Sequence, residues 1–343
     1  MTADIEQINP RNVAALAAWH ATVVAADTHG REATATPWQL PEVQADLADQ
    51  TDAVKLVLGG IEDGRTMVVA GQVHMPLTHS RDLAVIEVFV HPEHRRRGHG
   101  SRMLEQLEVV ARGHGRSLLE TAARWPYDGP ADGAGTPGLE FLRRHGFRLG
   151  LVDVMRSVDL PVDDARLAAL AAEAAPHHAA YTLRSFVGPV PDELAQGWAE
   201  LEATLMVEAP TGDLEREAES ADVDELRRYE AVIEAQGRTK LNTVALDAAG
   251  ELVAYTDLVV SAHDPDKAFQ WGTLVRPDHR GHRLGLAVKV ANLRLLQSSA
   301  PSATRLLTWN AEVNTHMVEV NEALGFKPLE RVGELQKRLP AGG

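Results

Sequence analysis

The stretch VIEVFVHPEHRRRGHGS, residues 85–101, decides how the rest of the chain is interpreted. Its first six residues are mostly β-branched or aromatic, with Glu87 as the one charge, and this composition predicts a strand. Leu104 and Leu107 then follow at the spacing of a helix. Between strand and helix, an anion would meet the unpaired amides and the positive dipole end of the helix, and Gly98 would let a phosphate approach the backbone. The stretch therefore predicts a pyrophosphate-binding turn.

Two common nucleotide motifs do not fit this turn. No Gly-Lys-Ser/Thr follows it, as a P-loop requires, and Met103 occupies the third glycine position of a dinucleotide fingerprint. Nucleotide hydrolysis and hydride transfer therefore lose support. His91, His94 and His99 lie among three arginines, without a carboxylate set or a His-Glu-x-x-His motif. We expect them to be solvated turn residues and expect no metal site.

The same pattern occurs twice in the chain. Arg-Pro-Asp-His-Arg at 276–280 lies 185 positions after His-Pro-Glu-His-Arg at 91–95. Two further blocks, which begin near Ala70 and Gly146 in the first copy, recur 184 and 179 positions later. Three aligned blocks in the same order indicate an internal duplication.

Each copy is predicted to contain strand, strand, basic turn, helix, strand, helix and strand. We therefore expect domains at residues 1–160 and 181–343, joined by a helical linker at 161–180 whose Ala-rich sequence is typical of a packed helix. A chain of 343 residues is long enough for two cores. The acidic insert at 208–234 predicts either a solvated helix face or a lip that attracts a cationic substrate.

The composition narrows the class of protein. With 44% hydrophobic and 24% charged residues the chain is typical of a globular protein. Cysteine is absent, which excludes disulfides and covalent cysteine intermediates and fits a reducing compartment. No apolar run is long enough for a membrane span, and the acidic start lacks the basic region of a signal peptide. We expect a cytoplasmic protein with no membrane partner, and the net charge of −15 disfavours nucleic acid.

The motif Arg95-x-x-Gly98-x-Gly100, between strand and helix, resembles the signature of the GNAT superfamily of acyl-CoA-dependent N-acyltransferases. The Gly-Phe pairs at 146–147 and 325–326 resemble the end of the fourth helix in that family. The duplicated arrangement is similar to that of mycothiol synthase and its relatives. The resemblance implies an α/β (α+β) fold of two tandem GNAT-like domains, each a mixed, mostly antiparallel sheet flanked by helices.

The resemblance implies that acetyl-CoA is the co-substrate and that each half offers residues to bind it. Backbone groups of the fourth strand would hold the pantetheine at Val88, Phe89 and Val90 in the first half and at Leu274 and Val275 in the second, where Asn310 and Asn314 resemble the family's pantetheine-binding asparagine. The turns would hold the pyrophosphate through Arg95, Arg96, Arg97, Gly98, His99, Gly100 and Ser101, and through Arg280, Gly281, His282, Arg283, Leu284 and Gly285.

The resemblance also implies direct attack of an amine on the thioester, because a cysteine relay is impossible here. In many GNAT enzymes a carboxylate on this strand is the base, a role that Glu87 could fill, although strand alternation alone could equally turn it to solvent. Gly272 takes this position in the second half. Leu142 and Asn321 replace the tyrosine that serves the family as acid, and Tyr127 in a Gly-rich insert could substitute for it.

The two halves carry different parts of the predicted site. Arg283 stands where the second turn should have its first glycine, and a left-handed arginine would cost about 1 to 2 kcal/mol. A right-handed Arg283 could instead offer its guanidinium to a phosphate. We therefore expect the first turn to bind CoA more tightly. Glu87 favours the first half as the enzyme, whereas Asn310 and Asn314 favour the second.

Two functions remain open at this point. The first is an N-acetyltransferase that transfers acetyl from acetyl-CoA to a primary amine of a small molecule or peptide, with a cationic acceptor suited to the acidic chain. The alternative is a non-catalytic CoA-binding or protein-interaction module in which both halves have lost their chemistry.

Overall fold

The computed structural model describes residues 3–218 and 220–340, apart from the side chain of residue 206. Its internal contacts divide the chain into two units. The first unit holds residues 3–125, 129–151 and 332–340, and the second holds 126–128 and 152–331. No helix in these described ranges is both long enough and apolar enough to cross a membrane.

The first half of the chain contains six strands and four α-helices among the described residues. In chain order they are β1 (Asp4–Gln7), α1 (Val13–Thr28), α2 (Leu40–Ala48), β2 (Ala53–Glu62), β3 (Thr66–Pro76), β4 (Leu83–Val90), α3 (His99–Gly113), β5 (Leu118–Pro126), α4 (Pro137–Arg144) and β6 (Arg148–Asp159).

The second half repeats this order after a connecting helix, as the duplication predicts, except that three helices stand where the first half has α1 and α2. Its elements are α5 (Asp164–Ala174), β7 (Thr182–Val187), α6 (Asp192–Ala203), α7 (Leu205–Glu208), α8 (Val223–Ala235), β8 (Arg238–Leu246), β9 (Leu252–Ser261), β10 (Asp264–Val275), α9 (Leu284–Ser299), β11 (Arg305–Ala311), α10 (Thr315–Leu324) and β12 (Lys327–Arg338).

Each unit has a mixed, mostly antiparallel sheet, which confirms the predicted fold class. In the first unit the strand order is β1-β2-β3-β4-β5, followed by residues 332–338 of β12. β1 to β4 are antiparallel neighbours, whereas β4 and β5 are parallel. In the second unit the order is β6-β11-β10-β9-β8-β7, with β10 and β11 parallel and the other pairs antiparallel.

Helices α1 and α3 of the first unit approach β3 closely at Gly71. Trp19 on α1 donates its indole N–H to the Gly71 carbonyl at 3.1 Å. Met103 on α3 places its Sδ 2.5 Å from the position that a Cβ of residue 71 would occupy. Glycine is therefore required there, because any side chain would displace the buried Met103.

The helix predicted to link the halves is part of the second core. α5 buries Leu167 in one apolar cluster with Leu286, Val290 and Leu293 of α9. Its apolar spacing therefore serves packing, as the Ala-rich sequence predicts.

The division into units differs from the boundaries expected from the repeat. From Val152 onward, β6 lies with the second unit, and from Val332 onward, β12 lies with the first. The last strand of each sequence copy thus completes the other unit. Sequence spacing identifies a strand but does not say which sheet it joins, and this explains the difference.

Candidate active site

The parallel strands of the first unit separate where the predicted CoA site begins. β4 and β5 are paired from Leu83 with Leu118 to Val85 with Glu120. Beyond Val85, β4 remains paired with β3 as far as Val90. The edge of β4 that faces away from β3 therefore lies beyond the pairing with β5 at Val88, Phe89 and Val90, and alternate backbone groups of this stretch point to that edge.

The second unit shows the same separation. β10 and β11 are paired from Lys267 with Arg305 to Gln270 with Thr308. The register of β10 against β9 is irregular between Gln270 and Thr273. Leu274 and Val275 then lie beyond the last parallel pair, as Val88 to Val90 do in the first unit.

Each turn contains two residues with a left-handed backbone conformation, and their positions match between the turns. In the first turn these are Arg96, with φ 63°, and Gly98, with φ 87°. In the second turn they are Gly281, with φ 84°, and Arg283, with φ 52°. The right-handed alternative for Arg283 is therefore wrong, and each turn carries one arginine in the strained region.

The arginines of the second turn are already paired with carboxylates. Arg280 Nη2 lies 2.7 Å from Glu208 Oε2, and Arg283 donates to the carboxylate of Glu173. Glu173 comes from α5 and Glu208 from α7. The net positive charge that an anion would meet at this turn is thereby reduced.

The first turn keeps more of its charge. Arg95 donates to the carbonyl oxygens of Val90 and Ala26, at 3.3 and 3.1 Å. Arg95 and Arg96 are exposed, and neither lies within 4.0 Å of a carboxylate among the residues that the structure describes. The first turn is therefore the more electropositive of the two, and a diphosphate would find two available guanidinium groups there.

The start of α3 is shaped by packing as well as by charge. Gly100 is close to Val90 and Phe141, whose side-chain atoms lie 3.3 and 3.5 Å from the site of its missing Cβ. Ser101 Oγ and His145 Nε2 are 2.9 Å apart. The expectation that the turn histidines are solvated is wrong for His99, which is only 2% exposed.

Glu87 lies on β4 within the separated part of the strands. Gln72, its partner on β3, donates a hydrogen bond to the Glu87 carboxylate. Arg124 of β5 places Nη2 4.0 Å from Glu87 Oε1. Burial raises the pKa of Glu87, and Arg124 and Gln72 partly oppose this effect. Glu87 thus combines partial exposure, 28% of its side chain, with a raised pKa.

The position equivalent to Glu87 in the second unit has a different environment. The Gly272 amide donates to Asp257 Oδ1 at 2.7 Å, and Asp257 Oδ2 forms a buried ion pair with Lys240 Nζ at 3.0 Å. Tyr255 Oη lies 2.6 Å from where a Cβ of residue 272 would be. A glutamate would therefore not fit at this position without rearrangement.

The predicted asparagines of the second unit both have partners inside the protein. Asn314 caps α10, because its Oδ1 accepts from Met317 N at 3.2 Å. Asn310 Oδ1 accepts from Asn321 Nδ2 at 2.5 Å. Asn321 Oδ1 in turn accepts from the buried Lys289 Nζ at 2.8 Å. A pantetheine role for Asn310 and Asn314 stays a prediction.

Sequence reasoning missed Lys289. Burial alone lowers its pKa to about 7. The duplication could have identified it, because the matching residue 185 positions earlier is Leu104, a core residue of α3. A lysine at a position that is apolar in the other copy is the signal.

The structure shows the surroundings of Leu142, at the position of the family's acidic tyrosine, and of Tyr127, its possible substitute. Leu142 is buried in the core of the first unit. Tyr127 lies with the second unit, where the guanidinium carbon of Arg331 is 4.3 Å from its ring centroid. A role for Tyr127 as the acid stays a prediction.

Comparison with known proteins supports this architecture. Residues 61–149 match the family described as acetyltransferase (GNAT) domain, and no curated protein sequence matches the chain. A tandem GNAT protein from the clavulanic acid biosynthesis pathway is 24% identical, with 99% of each chain covered and a TM-score of 0.79. A GCN5-related N-acetyltransferase from Sphaerobacter thermophilus is 16% identical, with 99% of this chain and 96% of that chain covered and a TM-score of 0.64. Residues 61–149 therefore match a GNAT acetyltransferase domain, and the chain has the fold of a tandem GNAT protein.

Proposed function

We propose that the first unit is an acetyl-CoA-dependent N-acetyltransferase acting on a primary amine of a small molecule or peptide. The observation that carries this proposal is the position of Glu87 on β4, beyond the last residue paired with the parallel strand β5 and on the strand that leads into the electropositive turn. The pantetheine would lie along the free edge of β4, and the pyrophosphate would bind at Arg95 to Ser101. We assign this activity to the cytoplasm, as expected from the sequence.

The reaction removes two protons from the nitrogen of a protonated acceptor, one before the attack and one after it. An aliphatic amine is mostly in its protonated ammonium form at pH 7, and the nitrogen of an ammonium has no free electron pair. Glu87, ionised, takes that proton directly or through one water. The amine nitrogen then forms a bond to the acetyl carbonyl carbon, the carbon–sulfur bond breaks, and the electron pair leaves on the CoA sulfur. The second proton passes from the nitrogen through water to the CoA thiolate, and the products are the neutral amide and CoA thiol.

Departure of the thiolate makes no use of the missing tyrosine. A thiol has a pKa near 8.5, so the thiolate is a fair leaving group at neutral pH. The buried Leu142 at the tyrosine position offers no proton. The proposal therefore requires no obligatory acid in the first unit.

The acceptor class follows from the charge of the chain. A net charge of −15 attracts cationic amines and repels anionic ones. Polyamines, aminoglycosides, amino acids and lysine peptides sample this class. Liquid chromatography can measure the release of CoA in the presence of each amine. The result shows whether the protein has transferase activity and which of these amines it accepts.

Glu87→Gln tests the assigned base. We expect turnover to fall by about 10²-fold or more, with acetyl-CoA affinity nearly unchanged. Glu105→Gln, an exposed change on α3, is the matched control and should keep the wild-type rate. Wild-type turnover in Glu87→Gln at saturating substrates would remove Glu87 from the mechanism.

The non-catalytic alternative is favoured only for the second unit. Its Gly272 amide is occupied by Asp257, and its turn arginines are paired with Glu208 and Glu173. Calorimetric titration of acetyl-CoA should therefore show one tight event per chain. No turnover with any amine, despite tight acetyl-CoA binding, would extend the non-catalytic alternative to the whole protein.

A further inference from the structure

Three side chains that could bind a metal ion converge beside the first turn. Glu62 ends β2, His94 lies in the 3₁₀ turn Pro92–His94, and His99 begins α3. Glu62 Oε2 lies 3.1 Å from His94 Nδ1, and Glu62 Oε1 lies 4.0 Å from His99 Nε2. One ligand atom from each residue falls within 4.8 Å of the other two. We call these three residues the Glu62 cluster.

His99 has an unmet hydrogen-bonding capacity inside this cluster. It is 2% exposed, and its Nε2 has no hydrogen-bond partner in the described part of the chain. A buried polar atom without a partner costs about 1 to 3 kcal/mol. Its Nε2 lies 4.0 Å from Glu62 Oε1, so the unpartnered atom is on the side of the other potential ligands.

The ligand types and spacing fit a divalent transition-metal ion. Two imidazoles and one carboxylate, with a fourth position open, are a common zinc ligand set. Bonds of about 2.0 to 2.1 Å in tetrahedral geometry place ligand atoms about 3.3 Å apart. The Glu62–His94 distance is already close to this value. The His99 ligand atom lies within 4.8 Å of the other two and would have to approach by at most about 1.5 Å.

Arg97 is the cation that competes for this position. Its Nη1 lies 3.8 Å from Glu62 Oε2 and 3.5 Å from His94 Nδ1. Both distances exceed those of a strong hydrogen bond, and the Arg97 side chain is 54% exposed. Arg97 can therefore turn away into solvent when an ion enters.

We propose that the Glu62 cluster is a site for a divalent transition-metal ion such as Zn²⁺. His94 and His99 flank residues 95–98, so an ion bound to both would fix the two ends of the anion-binding turn. This goes beyond the proposed transfer reaction, and no step of that reaction is routed through the ion.

The proposal replaces the expectation that this region holds no metal. That expectation considers only the residues of the turn, where the histidines lie among arginines. Glu62 is 32 positions before His94 in the chain, and only the fold brings its carboxylate to the histidines. Residue spacing along one segment cannot reveal such a ligand set.

The second unit provides an internal control. His279 matches His94, 185 positions later, but Leu284 replaces His99. His279 Nδ1 is instead 3.0 Å from Tyr181 Oη. Removal of His279 should therefore leave the proposed site intact.

Calorimetric titration of the tag-free full chain with Zn²⁺ tests the site, with Co²⁺ absorption as a second readout of coordination. We expect one strong event per chain, weakened by about 100-fold or more in Glu62→Gln and His99→Gln. His279→Gln should keep it. Arg97→Gln should strengthen it, because the competing cation is gone.

Several results would overturn the proposal. They are the absence of a strong event in the wild type, an event that survives His99→Gln, and an event removed by His91→Gln but kept in His99→Gln. Equal weak binding in every variant would indicate an adventitious ion only. If His99→Gln does not fold, as judged by its thermal transition, Glu62→Gln decides by the same 100-fold criterion, because Glu62 does not belong to the neighbouring group His91, Glu93 and His94.

Discussion

Arg124→Gln is the sharpest test of the proposed base, because it changes the pKa of Glu87 without touching its carboxylate. The Arg124 guanidinium lies 4.0 Å from Glu87 Oε1 and lowers the pKa that burial raises. Catalysis needs the ionised carboxylate, so kcat/KM must fall as pH drops through the pKa of Glu87. Removal of Arg124 raises that pKa further, and the acid limb of the profile should move to higher pH.

The size of the shift follows from the distance and the exposure of the pair. Two charges 4 Å apart interact by about 4 kcal/mol at an effective dielectric constant of 20. Arg124 and Glu87 are 34% and 28% exposed, and solvent reduces the interaction of such pairs to about 0.2 to 1 kcal/mol. One pKa unit corresponds to about 1.4 kcal/mol. We therefore expect an upward shift of roughly 0.1 to 0.7 pH unit.

The assay is the pH dependence of CoA release with one fixed amine. The acceptor amine titrates identically in assays of all variants, so a difference between two pH profiles comes from titrating groups of the protein. Arg112→Gln, which removes an exposed arginine paired with Glu108, should leave the profile unchanged. An acid limb that stays in place or moves down in Arg124→Gln would refute the assignment of that limb to Glu87.

Three further outcomes are expected. Gly98→Arg should weaken acetyl-CoA binding by roughly 5- to 30-fold in calorimetry, because an arginine at φ 87° costs about 1 to 2 kcal/mol. Unchanged binding and rate would place the working site in the second unit. Glu173→Gln combined with Glu208→Gln should strengthen acetyl-CoA binding at the second turn by about 2- to 30-fold, since each exposed pair contributes about 0.2 to 1 kcal/mol; no gain would show that charge does not limit that turn. Lys289→Met should change how stability depends on pH. Between pH 7 and 10 Lys289 binds a proton in the unfolded chain but has lost it in the native protein. The unfolding free energy of the wild type should therefore rise with pH, relative to that of the variant, by up to about 1.4 kcal/mol per pH unit. Parallel denaturation curves over that range would contradict a lowered pKa for Lys289.

The local parts of the fold could be predicted from sequence. The run at 85–90 and the spacing of Leu104 and Leu107 give β4 and α3 directly, because strand and helix periodicities are properties of neighbouring residues. The duplication extends the same prediction to β10 and α9. Membership of the last strands could not be predicted, since β6 and β12 pair with partners far away in the chain.

The candidate site shows the same limit. Glu87 and the two turns follow from motifs a few residues long. Arg124, Glu62 and the carboxylates over the second turn do not, because each reaches its partner across tens of positions; Glu173 is 110 residues before Arg283. These long-range neighbours determine the local charge of the turns and the pKa of Glu87, and short sequence motifs contain no information about either.

Comparison of the two turns separates the effect of backbone strain on anion binding from the effect of charge. Each turn holds one glycine and one arginine in the left-handed region, but in exchanged order: Arg96 and Gly98 in the first, Gly281 and Arg283 in the second. A left-handed arginine costs about 1 to 2 kcal/mol, and because each turn bears this cost once, it cannot make one bind anions better than the other. The first-order difference lies in the carboxylates that meet Arg280 and Arg283 but not Arg95 and Arg96. Unequal CoA affinity, if measured, is therefore an electrostatic property, and raising the salt concentration should narrow it, because exposed charges are screened within about 10 Å at 0.1 M ionic strength.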